Sequence, residues 1–314
     1  MIHIPGYQNV FMDSASRYTW NELNERVFIG NVLESLKKQM AGDFGKYEFY
    51  IYSNHSGHQV PASANLQPKN KVLIFISDET SSYPSNLKDS YLAVFKSYLP
   101  YENEKDPIFP FCLGYVNDVP LLDNKPVNDR QFDLFYSGNL NENRFTLYKE
   151  LNPVFRWMPE AAGRMLIKFI GKLRLLYLLE GTFMLKDTPG ENYIRFTHGF
   201  KEGLSAYQYG ELLANSKITL CPKGFQSPET FRHIEALRAG SVVVTESLPG
   251  TRYYKNAPFI LINNWKEGLQ KVRQLLDDQK TLDELQQQSI KWYTDVCSEN
   301  AVAKYIQDQL KTVS

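Results

Sequence analysis

The segment CPKGFQSPETFRHIEALRAG, Cys221 to Gly240, carries the residue types and spacing best suited to chemistry. Ser227 is a good helix N-cap, Pro228 fits the first helical position and Gly240 fits the left-handed residue after a helix, so the spacing predicts a helix over 227–239. Phe231, Ile234 and Leu237 form its apolar stripe. The strand-like KITLCPKG precedes it, which should set the helix N-terminus at the carboxyl edge of a parallel sheet. Free N–H groups and the positive dipole end there attract anions. Lys223 adds a full charge, and Gly224 would let a phosphate approach the backbone, so Gly224 to Thr230, with Ser227 between them, is the expected diphosphate cradle. Glu229, Arg232, Glu235 and Arg238 recur every three residues, which by itself describes a solvated ion-pair ladder. Glu235, however, lies only about 40° around the helix from Phe231. A carboxylate at that margin could accept hydrogen bonds from ribose hydroxyls, with Arg232 beside it.

A second set of candidates follows the strand-like FDLFYSGN. Ser137 and Gly138 sit in its turn, and Arg144 stands just after it, where it could meet a leaving diphosphate. No GxGxxG occurs, so a dinucleotide fingerprint is unsupported. His198, in FTHGF, could touch a nucleotide or serve a core or loop role. In the first half, Asp78 and Glu79 close the strand-like KVLIFIS, and His55 and His58 lie in SNHSGHQV. If a hydroxyl must lose a proton, Asp78 is the first choice of base, with Glu79 and His55 behind it. The HxxH spacing, with no cysteine or further histidine nearby, is weak evidence for a metal, and a loop histidine pair without function is the favoured expectation.

The elements that must position these groups alternate as strands and helices, the pattern of an α/β fold with parallel sheets. Asn24 to Met40 has helical spacing of Val27, Leu33 and Leu36, and strands are expected at 47–55, 71–79 and in SVVVTE and FILINN. The Pro-, Asn- and Asp-rich stretch Val116 to Gln131 is the expected linker, giving domains 1–128 and 129–314. A length of 314 residues, 43% hydrophobic, suits two cores. Lys plus Arg equal Asp plus Glu at 35 each, so no global field selects nucleic acid. Cys112, Cys221 and Cys297 are odd in number and widely spaced, as reduced thiols in a cytoplasm would be. No leader-like segment or apolar run of about 20 residues occurs, so a cytoplasmic chain is expected, at most peripheral to a membrane. RMLIKFIGKLRLLYLL, Arg164 to Leu179, fits either a basic helix lying on a membrane or, the favoured expectation, a helix packed on the sheet with snorkelling lysines.

LANSKITLCPKGFQSPETFRHIEALRAGSVVVTESLP, followed by PFILINNWKEGLQKVRQLL, resembles the carboxyl-terminal domain of exostosin-like glycosyltransferases. The resemblance covers Phe132 to about Trp292 and is strong from Leu213 to Val244. It implies a GT-B architecture: two Rossmann-like domains with parallel sheets facing a central cleft, and carboxyl-terminal helices free to cross back to the first domain. It also implies inverting transfer from a nucleotide-diphosphate sugar to a saccharide or lipid-linked saccharide, with no metal and no other cofactor. Consistent with that, no Asp-x-Asp pair is present. Retaining GT-B enzymes often carry a glutamate eight positions before the residue corresponding to Glu235; here that position is Ser227, which favours inversion, although Glu229 stands two residues away. A fucosyltransferase-like enzyme and a non-catalytic nucleotide- or sugar-binding protein are the alternatives.

Overall fold

The apolar runs form two six-stranded sheets in a computed structural model that describes residues 1–55, 60–67, 69–199 and 202–313. Two α/β units result, one of Met1–Asn117, Pro249–Lys255 and Thr294–Ser314, the other of Asp118–Leu248 and Asn256–Tyr293. The chain therefore changes unit at Asn117, within the expected linker but before residue 128, and its last helix belongs to the first unit.

In the first unit, β1 (Ile2–His3), β2 (Val10–Met12), β3 (Glu48–Ser53), β4 (Lys71–Ile76), β5 (Ala93–Lys96) and β6 (Ile108–Pro110) lie side by side in chain order. Only β1 is antiparallel to its neighbour. β4 is buried at every position, as its run of apolar residues demands. Helix α1 (Arg26–Met40) connects β2 to β3 and buries Phe28, Ile29, Val32, Leu33 and Leu36, whereas Val27 faces outward.

The second unit orders its strands β12-β11-β10-β7-β9-β8. These are β7 (Phe132–Asn139), β8 (Gly181–Phe183), β9 (Glu191–Thr197), β10 (Ser216–Cys221), β11 (Val242–Glu246) and β12 (Ile260–Ile262), all parallel except β8. Around them run α2 (Phe145–Leu151), α3 (Glu160–Lys172), α4 (Ala206–Ala214), α5 (Phe231–Arg238), α6 (Trp265–Asp277) and α7 (Gln279–Trp292). One core, with Leu134, Ile194, Leu220, Val244 and Trp265, fills one face of the sheet; Phe135, Leu213, Ala236 and Val243 fill the other, under α4 and α5. The chain leaves β7 first toward β9 and then crosses to β10, so β7 and β10 flank the point where strand order reverses. In open parallel sheets that is where a crevice forms beyond the carboxyl ends.

In the first unit, α8 (Glu299–Val313) packs on α1 and β5 and buries Val302, Ala303, Ile306 and Leu310. This apolar stripe makes the last helix part of the first unit's core. Among the described residues no helix is long and apolar enough to cross a membrane.

Candidate functional site

Residues from β7, α2 and α5 converge beyond the β7–β10 switch point. Arg232, the second residue of α5, is 8% exposed and donates from Nη2 to the Ser137 carbonyl at 2.5 Å, with its guanidinium 4.8 Å from the centre of the Tyr136 ring. Arg144, at the N-cap of α2, donates from Nη1 to the Asn139 carbonyl at 2.8 Å and from Nε to the Lys223 carbonyl at 3.2 Å. Gly138 lies between the two cations. A Cβ there would stand 2.8 Å from Arg232 Nη2, 3.1 Å from the Tyr136 hydroxyl and 3.2 Å from Arg144 Nη1. Several polar atoms around this point are buried without a hydrogen-bond partner among the described residues: Nε and Nη1 of Arg232, the Tyr136 hydroxyl and Asn141 Nδ2. Buried donors left unpaired cost free energy. An oxyanion is the complement such a set lacks.

The cradle on the β10 side is built differently from the sequence expectation. Helix α5 begins at Phe231, with extended Thr230 as its N-cap, not at Ser227. Thr230 N–H donates to His233 Nδ1 at 3.2 Å, so a histidine takes the place of the usual capping glutamate. His233 Nε2 lies 2.9 Å from Thr245 Oγ1, whose hydroxyl also donates to the Cys221 carbonyl at 2.9 Å. Burial drives the His233 pKa down to about 3 and keeps the ring neutral. Before the helix, 224–230 folds back on itself. A Cβ at Gly224 would lie 2.8 Å from the Ser227 carbonyl oxygen and 3.2 Å from that of Glu229, so the chain's own backbone requires this glycine. Ser227 is buried, with its hydroxyl accepting from Glu229 N–H at 3.2 Å. Asn143 Nδ2 donates to the Gly224 and Phe225 carbonyls and fastens this loop to the one after β7. Lys223 is partly exposed and pairs at 3.7 Å with Glu246.

Sequence reasoning did not single out Tyr136, Asn141 or Glu246. Glu246 closes β11, is 9% exposed and also accepts from Trp265 Nε1 at 3.3 Å. An acidic residue ending the run SVVVT was the available signal for it.

The charged ladder of α5 is not a solvated face: Glu229, Arg232 and Glu235 are buried, and Arg238 donates to the Val119 carbonyl at 2.9 Å. Glu235 has a partner within the protein. It is 5% exposed and accepts from the Tyr209 hydroxyl at 2.9 Å, and the void beside it, lined by Val119 and Leu213, holds about 10 Å³. Burial opposes the charge of Arg232, but the neighbouring Tyr209, Tyr136, Cys221 and Glu235 outweigh it and raise the Arg232 pKa. His198 stands at the carboxyl end of β9, and its ring and backbone N–H both engage Glu180.

In the first unit the expected bases separate. Asp78 is fully buried, paired at 3.1 Å with the equally buried Lys96 and bonded by the hydroxyls of Thr80 and Ser82. Burial alone would raise its pKa, but Lys96 and those hydroxyls hold it below the ordinary carboxylate value. Shielded from any acceptor, Asp78 is a structural anion. We therefore expect Lys96→Met, which strands that charge, to destabilise the fold by about 3–5 kcal/mol. Urea denaturation checks this, and adding Asp78→Asn should restore part of the loss; an unchanged midpoint for the single variant contradicts the assignment. Glu79 is half-buried, its N–H bonded to the Ser77 carbonyl.

His55 is set up differently. Its Nδ1 lies 3.0 Å from the Ser77 carbonyl, which can only accept, so Nδ1 carries the proton and Nε2, 2.7 Å from the Tyr18 hydroxyl, is an acceptor. Ser77 holds that carbonyl from a left-handed conformation, φ 69°. His58 lies outside the described residues. Glu25, at the N-cap of α1, was not foreseen: it is 6% exposed, and burial raises its carboxyl to about 7.

Residues 197–308 match the family model described as the RXYLT1 C-terminal domain. A Danio rerio protein, ribitol-5-phosphate xylosyltransferase 1, is 37% identical over 103 residues, covering 28% of this chain and 23% of that protein. The match thus spans less than a quarter of that relative's length. Among solved structures, TarM aligns with a TM-score of 0.45 and 13% identity over 89% of this chain and 57% of its own. AviGT4, a glycosyltransferase involved in avilamycin A biosynthesis, aligns with a TM-score of 0.46 and 10% identity over 99% of this chain and 95% of its own. The family match includes Lys223, Gly224, Ser227, Thr230, Arg232, Glu235 and Glu246, and stops short of Ser137, Gly138 and Arg144. Half of the cationic site thus lies outside the matched region.

Proposed function

We propose that this protein is a glycosyltransferase of exostosin-like, GT-B type that moves a sugar from a nucleotide diphosphate to a saccharide or lipid-linked saccharide, in polysaccharide or glycoconjugate synthesis. The observation that carries the reading is the buried Arg232 guanidinium beside Gly138 and Arg144, whose Nε and Nη1 have no hydrogen-bond partner among the described residues. Two buried cations and the N-terminus of α5 are suited to the diphosphate of a donor, with Lys223 at the rim. The partial likeness to a xylosyltransferase supports the reaction class.

In the proposed inverting reaction an acceptor hydroxyl attacks the anomeric carbon as its bond to the diphosphate oxygen breaks. The bonding pair leaves with the diphosphate, and its growing charge is met by Arg232, Arg144 and Lys223 rather than by a metal. The hydroxyl proton passes to a base, and His55 Nε2 is the acceptor we assign. Calorimetry with nucleoside mono- and diphosphates, followed by NMR of the product anomer, tests the reading. Diphosphates should bind at least tenfold more tightly than monophosphates, and the product anomer should be opposite to the donor's. Equal affinities would remove the diphosphate site, and a product of retained configuration would remove the need for the base.

A further inference from the structure

Eight of the eighteen exposed large hydrophobic side chains among the described residues fall within the 31 residues 154–184. Their concentration has a local cause. Helix α3 turns Gly163 and Ile167 inward, and Gly163 packs so closely on the Phe145 ring that a Cβ would stand 1.8 Å from it. The opposite stripe repeats at four-residue spacing, with Met165 73%, Phe169 60% and Leu173 51% exposed. α3 is thus apolar on two faces, and the fold covers only one. Trp157, just ahead of the helix, is 89% exposed.

Charge distinguishes the possible occupants. Residues 154–184 contain five basic and two acidic side chains, a net +3 in a chain of net charge zero. Lys172 and Arg174 flank Leu173, are exposed, and form no ion pair among the described residues. An identical copy would set this positive face against itself, which costs free energy. A bed of anionic headgroups complements it, with tryptophan at headgroup depth, lysines reaching outward and the apolar stripe inserted. Thirteen residues are too few to span a bilayer but suffice to lie in its surface.

We propose that the α3 face docks the protein on a membrane surface bearing anionic lipid. This does not depend on the function proposed above. Vesicle sedimentation tests it, with phosphatidylcholine alone or with about 30% phosphatidylglycerol. The protein should bind the anionic vesicles at least about tenfold more tightly, and raised salt should weaken that binding. Phe169→Ser with Leu173→Ser, and separately Lys172→Glu with Arg174→Glu, should each lower vesicle affinity by about tenfold or more while the melting temperature stays at the parent value. Absence of binding, equal binding to both vesicle types, or undiminished binding by both variants overturns the proposal. So does a concentration-dependent dimer in light scattering that the Phe169→Ser, Leu173→Ser protein no longer forms, since that assigns the face to a second copy.

Discussion

Arg232→Met is expected to weaken nucleoside-diphosphate binding by roughly 10- to 100-fold while leaving the ligand-free melting temperature within a few degrees of the parent. The two effects separate because the guanidinium is poorly matched to its own protein. It makes one hydrogen bond to Ser137 and lies over Tyr136, yet two of its nitrogens have no acceptor, and its charge is buried. Unlike Lys96, Arg232 forms no ion pair among the described residues, so methionine strands no partner charge, and the one lost hydrogen bond is offset by the desolvation of a cation that is no longer required. A bound diphosphate would meet the free nitrogens with charge-assisted hydrogen bonds, and methionine cannot. Titration calorimetry and thermal unfolding on the same preparation decide the matter. Parental affinity removes Arg232 from the site, and a large drop in melting temperature makes it a structural residue.

His55→Gln should lower the turnover number by about 10²- to 10⁴-fold, the usual contribution of a general base, with the donor dissociation constant unchanged. The hydrogen bond from Nδ1 to Ser77 fixes the tautomer that leaves Nε2 able to accept a proton. Tyr18 occupies Nε2 in the free protein, so Tyr18→Phe should keep or raise turnover if an acceptor hydroxyl must displace it. Turnover at the parental level transfers the role to another group.

The strands and helices were largely legible because their signals are local. β4 is a run of apolar residues, α4 opens on a serine capping box, and β10, the glycine turn and α5 follow in the expected order. Short β2 and β8 carry too few residues to show a period. α5 is capped by Thr230 and not by Ser227, and the residues between fold back so that the Ser227 and Glu229 carbonyls crowd Gly224, a contact no propensity describes.

For the candidate site, the sequence by itself determined the segments of the candidate cradle: a strand, a tight turn and a capped helix, with Lys223, Arg144 and Arg232 carried on or beside them. Only the tertiary structure decided what each charge does. Asp78 is neutralised by Lys96, which stands on the neighbouring strand in register with Phe75, so a residue suited to act as a base became an internal ion pair. Glu235 turned to Tyr209, while Arg232, three residues earlier on the same helix, was left with open donors beside Gly138. Helical spacing gives the angle between such side chains, but whether one is paired or left open depends on groups from distant parts of the chain. Those distances are set when the sheet assembles, because burial and Coulomb energies act through space and not along the sequence.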